Sequence, residues 1–145
     1  RGGEALDMVQ SMISGHSGSL TTVHATSPRD ALVRLETLSL MSDVELPIYV
    51  ARAQVASAIH LVVQLSRFSE DGSRKVTRIT EVFGLDESNR YQSQDLFVSR
   101  LTGRDDQGML TADLSPTGNR PTFADELSEH ALEDRARLTR SIWQA

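Results

Sequence analysis

Residues 27–65 carry two apolar stripes at helical spacing, each opened by a proline, and then run straight into a largely apolar segment. That order constrains the chain more than any other feature. Ser27 can cap a helix, Pro28 suits a first turn that needs no N–H there, and Asp30 stands where a capping box wants an acid. Ala31, Leu35 and Leu38 then form a stripe that Leu32 widens, with Arg29, Arg34 and Glu36 expected in water. Residues 43–47 break the pattern. A second helix is predicted over 47–59, where Ile48, Ala51, Val55, Ala58 and Ile59 share a face. Residues 61–65 read as a buried strand that continues toward Phe68. It turns at Asp71-Gly72, a dipeptide favoured in two-residue hairpin loops, and returns through Val76, Thr77, Ile79, Thr80 and Val82.

The flanks extend this order. Leu6, Val9 and Ile13 predict a helix over 3–13 that Gly15 ends, and the Thr- and Val-rich residues 19–24 predict a short strand. After Gly84 the chain is polar and turn-rich as far as Gly118, and only 96–98 reads as strand. A closing helix is expected over 121–143, with Phe123, Leu127, Ala131, Leu138 and Ile142 in line and a Glu133–Arg137 pair. The expected fold is α/β, with a partly parallel sheet flanked by helices, a β-hairpin and a C-terminal helix.

Composition narrows the function classes. At 145 residues the chain has room for one compact domain. Twenty acidic and 15 basic side chains leave a net charge of −5 with no dense basic cluster, which argues against direct nucleic-acid binding. The absence of cysteine excludes disulfides, thiol nucleophiles and thiolate metal sites. The most apolar stretch, 46–65, is interrupted by Arg52, Gln54, His60 and Gln64 and would be costly in a bilayer. The first residue is Arg and no basic-then-apolar leader follows it, so the chain is expected to begin inside something longer.

Ligands of α/β sheets sit beyond the carboxyl ends of strands, which singles out residues 15–25, GHSGSLTTVHA. On a strand Leu20, Thr22 and His24 would point one way, and Thr21 and Val23 the other. A metal site is disfavoured, because the eight-residue separation of His16 and His24 matches no usual ligand spacing. Gly15-His16-Ser17-Gly18 fails as a nucleophile elbow, since the second glycine comes one position early and the run precedes a strand. Two readings stay open. Ser17, Ser19, Thr22 and His24 could recognise a phosphate, or they could be turn residues with one satisfied histidine.

Several ordered motifs carry a resemblance. Residues 1–8, the 15–25 segment, SPRDALVRLET (27–37), VASAIHLVVQ (55–64), DGSRKVTRITEV (71–82), QDLFV (94–98) and TGNRPTFADEL (117–127) resemble the type II/IV secretion ATPases. Within these they resemble the tight-adherence (Flp) pilus assembly branch, CpaF/TadA-like. The resemblance implies the C-terminal part of a RecA-like P-loop ATPase domain that starts just after Walker B. Residues 1–83 would belong to the ATPase core and 84–145 would form a C-terminal extension. It further implies a homo-hexamer at the cytoplasmic face of the bacterial inner membrane, bound there through platform proteins, that uses ATP and Mg2+ to drive pilus assembly or secretion. His16 and His24 match the family's His box, and Glu4 matches a position just after Walker B; these three are the candidate catalytic residues. Arg1, Thr22, Arg74 and Arg78 are the candidate nucleotide-binding or sensing residues, with Mg2+ held mainly by residues outside this chain.

Two features depart from the pattern. No Gly-rich run ending in Lys and Ser or Thr occurs, and the single lysine, Lys75, follows Ser73 and Arg74. By itself the chain is therefore expected not to hydrolyse ATP, and the alternative reading is a non-catalytic module that docks on intact subunits or platform proteins. His60 stands where the family's pattern has an acidic or polar residue, and is expected as a surface change. Trp143 ends the closing helix beyond the last recognised motif.

Overall fold

A computed structural model describes residues 4–15 and 18–124. Three helices come first: α1 (Glu4–Ile13), α2 (Pro28–Leu40) and α3 (Ile48–Ala58). Four strands follow, β1 (Leu61–Arg67), β2 (Arg74–Leu85), β3 (Tyr91–Arg104) and β4 (Leu110–Pro116), and then a 3-10 turn at Thr122–Ala124. The chain divides into two compact units, Arg1–Val62 with Val82–Ser93, and Val63–Glu81 with Gln94–Ala145.

In the first unit the three helices pack pairwise around Val9, Leu32, Leu35, Val55, Ala58, Ile59 and Val82. The α2 start forms as its sequence dictates: Ser27 is the N-cap, Pro28 opens the first turn, and the Ser27 hydroxyl accepts from the Asp30 N–H at 3.1 Å. Ile48 is the exception on α3, because it lies exposed in the first turn while Ala51, Val55, Ala58 and Ile59 are buried.

Glu36 overturns its expected place in water. It is 3% exposed. Arg52 of α3 grips it with both ends of its fork, Nε to Oε1 at 2.9 Å and Nη2 to Oε2 at 3.1 Å. The remaining Nη1 donates to the Asn89 carbonyl at 3.0 Å, so one guanidinium ties α2, α3 and the β2–β3 turn together. Hydrogen bonding to Glu36 holds the Arg52 pKa above its ordinary value.

The sheet order is β1-β2-β3-β4, and every neighbour is consecutive in the chain. The expected partly parallel sheet is therefore corrected: the sheet is antiparallel. Its connections, residues 68–73, 86–90 and 105–109, are hairpin loops, and a parallel neighbour needs a crossover of roughly a dozen residues or more. The strand expected over 19–24 does not form either; residues 19–25 belong to no strand, because none of the four strands pairs with them. The buried strand expected over 61–65 instead alternates, with Leu61, Val63 and Leu65 about half exposed on one face of the sheet's edge strand.

The polar region after Gly84 holds two long strands rather than one short one. Hydrophobic pattern was a poor guide there because aspartates at the loop starts organise the hairpins. Asp86 Oδ1 accepts from the Ser88 and Arg90 amides, and Asp105 Oδ1 from the Gln107 and Met109 amides, all at 2.9 Å. The β1–β2 loop is longer than a two-residue turn: Phe68 N–H donates to Ser73 at 2.9 Å around residues 69–72, with Gly72 at φ +73°. Of the expected closing helix, residues 121–124 are described, with Thr122–Ala124 in a 3-10 turn; the remainder, Trp143 included, lies outside the described residues.

Asp71 links two hairpins of the second unit, accepting from the Ser73 amide at 2.8 Å and the Leu110 amide at 2.6 Å. Burial works to raise its pKa, but these hydrogen bonds and the charge of Lys75 outweigh it and pull the carboxyl down to about 2. With an unfolded value of about 3.9, its stabilisation is complete above about pH 4 and is lost as pH falls through about 2. The Leu110 amide resonance should titrate with a midpoint near 2 and should not do so in Asp71→Asn; a midpoint near 4 would contradict the linkage. For the buried pair, Glu36→Ala should cost about 3 kcal/mol in denaturant unfolding, the lower end for a buried pair. That end applies because the Arg52 side chain keeps 29% exposure. Glu36→Leu combined with Arg52→Met should recover most of the loss, since it removes both charges together.

Candidate functional site

The segment that sequence singled out is held at both ends. Gly15 and Gly18 adopt φ of +99° and +85°, left-handed values that other residues resist, so the entrance needs glycine. At the exit Thr26 Oγ1 donates to Asp30 Oδ2 at 2.5 Å while Ser27 caps α2. Hydrogen bonds from Thr26 and Ser27 hold the Asp30 carboxyl below its usual range. The backbone between is extended without being a strand: residues 18–22 and His24 are exposed, and Val23 and Ala25 are half-buried.

Val23 and its neighbours close a cleft of about 260 Å³. Its walls are Glu4, Ala5 and Met8 of α1, residues 21–23, and Leu35 and Leu38 of α2. Apolar side chains form most of the lining, and the Glu4 carboxylate with the Thr21 and Thr22 hydroxyls supplies polar groups. His24 is exposed two residues past Thr22, outside the lining. Hydroxyl and imidazole groups on one side of an exposed segment are suited to donating to phosphate oxygens. Among the described residues no group of three or more His, Asp or Glu is placed to hold a metal ion.

The structure thus brings Glu4 and Thr22 to one cleft. His16 and Arg1 lie outside the described residues. Arg74 and Arg78 belong to β2 in the second unit, where Arg74 is exposed and Arg78 is committed to the Asp95 carboxylate. Asp95 also accepts from Thr80 Oγ1 at 2.7 Å. His60 is exposed, and its carbonyl accepts from the Val82 amide at 2.9 Å.

The second unit holds a network that residue-by-residue reading missed. Glu81, 2% exposed, accepts from the Thr122 amide at 2.9 Å, from Thr122 Oγ1 at 2.5 Å and from Gln94 Nε2 at 2.7 Å. The Asp95 carbonyl receives Thr117 Oγ1 at 2.6 Å and Asn119 Nδ2 at 3.0 Å. QDLFV and TGNRPTFADEL, two motifs 23 positions apart at their first residues, are therefore one hydrogen-bonded constellation. Their shared order in the resemblance was the one signal that could have paired them.

A family model described as "Type II/IV secretion system protein" matches residues 1–106. The chain belongs to the type II/IV secretion system protein family. Among curated relatives, it is 42% identical over 86 residues to the type IV secretion system protein PtlH of Bordetella pertussis, covering 57% of this chain and 24% of that protein. It is 31% identical over 94 residues to the conjugal transfer protein TrbB of Rhizobium radiobacter, covering 65% of this chain and 27% of that one. A putative conjugal transfer protein of Mycobacterium tuberculosis is 28% identical over 79 residues, covering 54% and 22%. The chain spans about a quarter of the length of the curated relatives it matches. The 106 matched residues of this type II/IV secretion chain include the whole of the 15–25 segment and its cleft, and end before TGNRPTFADEL.

Proposed function

We propose that this chain is part of a secretion ATPase that couples ATP hydrolysis to pilus assembly or protein secretion. The observation that carries the reading is the family match over residues 1–106, within which exposed Thr22 lines the cleft edged by Glu4 and exposed His24 follows two residues on. In the complete protein the motor works as a homo-hexamer at the cytoplasmic face of the bacterial inner membrane and passes force to platform proteins. The ordered motifs from residue 1 to residue 127 favour the tight-adherence pilus branch.

Phosphoryl transfer needs positioning and charge stabilisation more than covalent help from the protein. Thr22 and His24 donate to the terminal phosphate, with His24 as its sensor, while Glu4 stands beside the reacting group. His16 of the same His box assists, and Arg1 contributes positive charge to nucleotide sensing; Arg74 and Arg78 remain sensing candidates on β2 of the second unit, where Asp95 already engages Arg78. Mg2+ would be held mainly by residues outside this chain, as the resemblance implies, together with the phosphates and water.

A second reading rests on the missing phosphate cradle. Without a Gly-rich run and its lysine, these 145 residues on their own form an interaction module that docks on intact subunits or platform proteins.

In a complete protein that carries a P-loop, His24→Ala should lower ATP turnover by about tenfold or more and change nucleotide affinity by less than about threefold. Unchanged turnover would remove His24 from the site. The 145-residue chain alone should show no rise in melting temperature with ATP. A saturable rise would reveal a nucleotide site complete within it.

A further inference from the structure

Apart from the Glu4 cleft, the first unit has a larger cavity, about 410 Å³, bounded by α2, α3, the β2–β3 turn and the start of β3. Arg29, Val33 and Glu36 come from one face of α2, Arg52 from α3, and Asp86, Arg90 and Ser93 from the turn and β3. It shares no lining residue with the Glu4 cleft. Three arginines and two carboxylate residues line it, which leaves one positive charge over.

The hydrogen bonds show where that surplus lies. Glu36 has both oxygens on Arg52, and Arg52 spends its third nitrogen on the Asn89 carbonyl. Asp86 is satisfied by the Ser88 and Arg90 amides and by Arg90 Nε. Neither carboxylate is left wanting a donor from a ligand. Arg90 keeps both terminal amino groups uncommitted, and among the described residues Arg29 and the Ser93 hydroxyl make no hydrogen bond or ion pair. Arg29 also sits in the first turn of α2, where the helix dipole opposes positive charge; the adjacent Asp30 carboxylate offsets part of that cost, but it is turned to Thr26 and lies outside the cavity lining.

We infer that this cavity is a binding site for a soluble phosphate monoester. Two guanidinium groups and a hydroxyl offer more donors than the two oxygens of a carboxylate can accept, and arginine forks match phosphate geometry. Val33 gives the ester carbon an apolar wall. The site adds a second phosphate-recognising surface to the first unit and does not depend on the ATPase reading.

The test is an NMR titration of the 145-residue chain with glycerol phosphate and with inorganic phosphate, each matched in ionic strength by sodium chloride. Saturable shifts of the Arg29 and Arg90 Nε–H and the Ser93 amide are expected. Arg29→Gln and Arg90→Gln should each weaken binding about tenfold, the effect of losing a charged hydrogen bond. Arg34→Gln, an exposed change on the same helix outside the cavity, should leave it unaltered. No saturable shift would overturn the inference. So would equal shifts with sodium chloride, retention of binding in the Arg29→Gln, Arg90→Gln double variant, or a response confined to anionic phospholipid vesicles. Because no turnover is measured, failure here leaves the ATPase reading untouched.

Discussion

A carboxylate removed from water must be paired, and in this protein that requirement falls on Glu36. Its bidentate hold on Arg52 and the onward bond to the Asn89 carbonyl join two helices and a turn that are far apart in the chain. Apolar contacts among Val9, Leu32, Leu35, Val55 and Ile59 supply the bulk of the burial in the first unit, but such contacts are non-directional. The planar guanidinium fork has a fixed geometry, so it sets how α2 and α3 are placed relative to each other. The cleft beside Glu4 inherits that placement, because Leu35 and Leu38 of α2 form one wall.

The second unit solves the same problem differently. Its strands are polar, and their ladder is reinforced by side chains that bond backbone groups: Asp71 to Leu110, Asp105 within its own loop, and Thr117 to Asp95 and Leu96. Glu81 is as buried as Glu36, yet it is satisfied by neutral donors from Thr122 and Gln94 instead of an arginine. Such a network anchors the residues after β4 to β2 without needing an apolar face. That explains how a segment with few large apolar residues can still be ordered.

The family match covers the 15–25 segment, and the geometry gives that segment a physical form. Glycines with left-handed backbone at the entrance, and the Ser27 cap with the Thr26–Asp30 hydrogen bond at the exit, hold an extended run that exposes Thr22 and His24 along with residues 19–21. None of the four strands pairs with this run, so its exposed side chains are not committed to a sheet. The two halves of the candidate set differ in their commitments: Thr22 and His24 are exposed, whereas Arg78 is already engaged by Asp95.

The sequence by itself determined the elements whose causes are local. α1 and α3 fall within about two residues of where apolar spacing puts them, α2 starts at its Ser27 cap, and the first hairpin turns through Gly72, in a loop longer than the expected two residues. Only the tertiary structure decided that Glu36 is buried, that the sheet is antiparallel, that residues 19–25 form no strand, and that QDLFV meets TGNRPTFADEL. Each of these depends on a partner distant in the chain: Arg52 for Glu36, a neighbouring strand for a strand, Asp95 for Thr117. A pattern of residue types records what a side chain can do. Which distant group it meets is set by packing, and one linear sequence leaves that choice open.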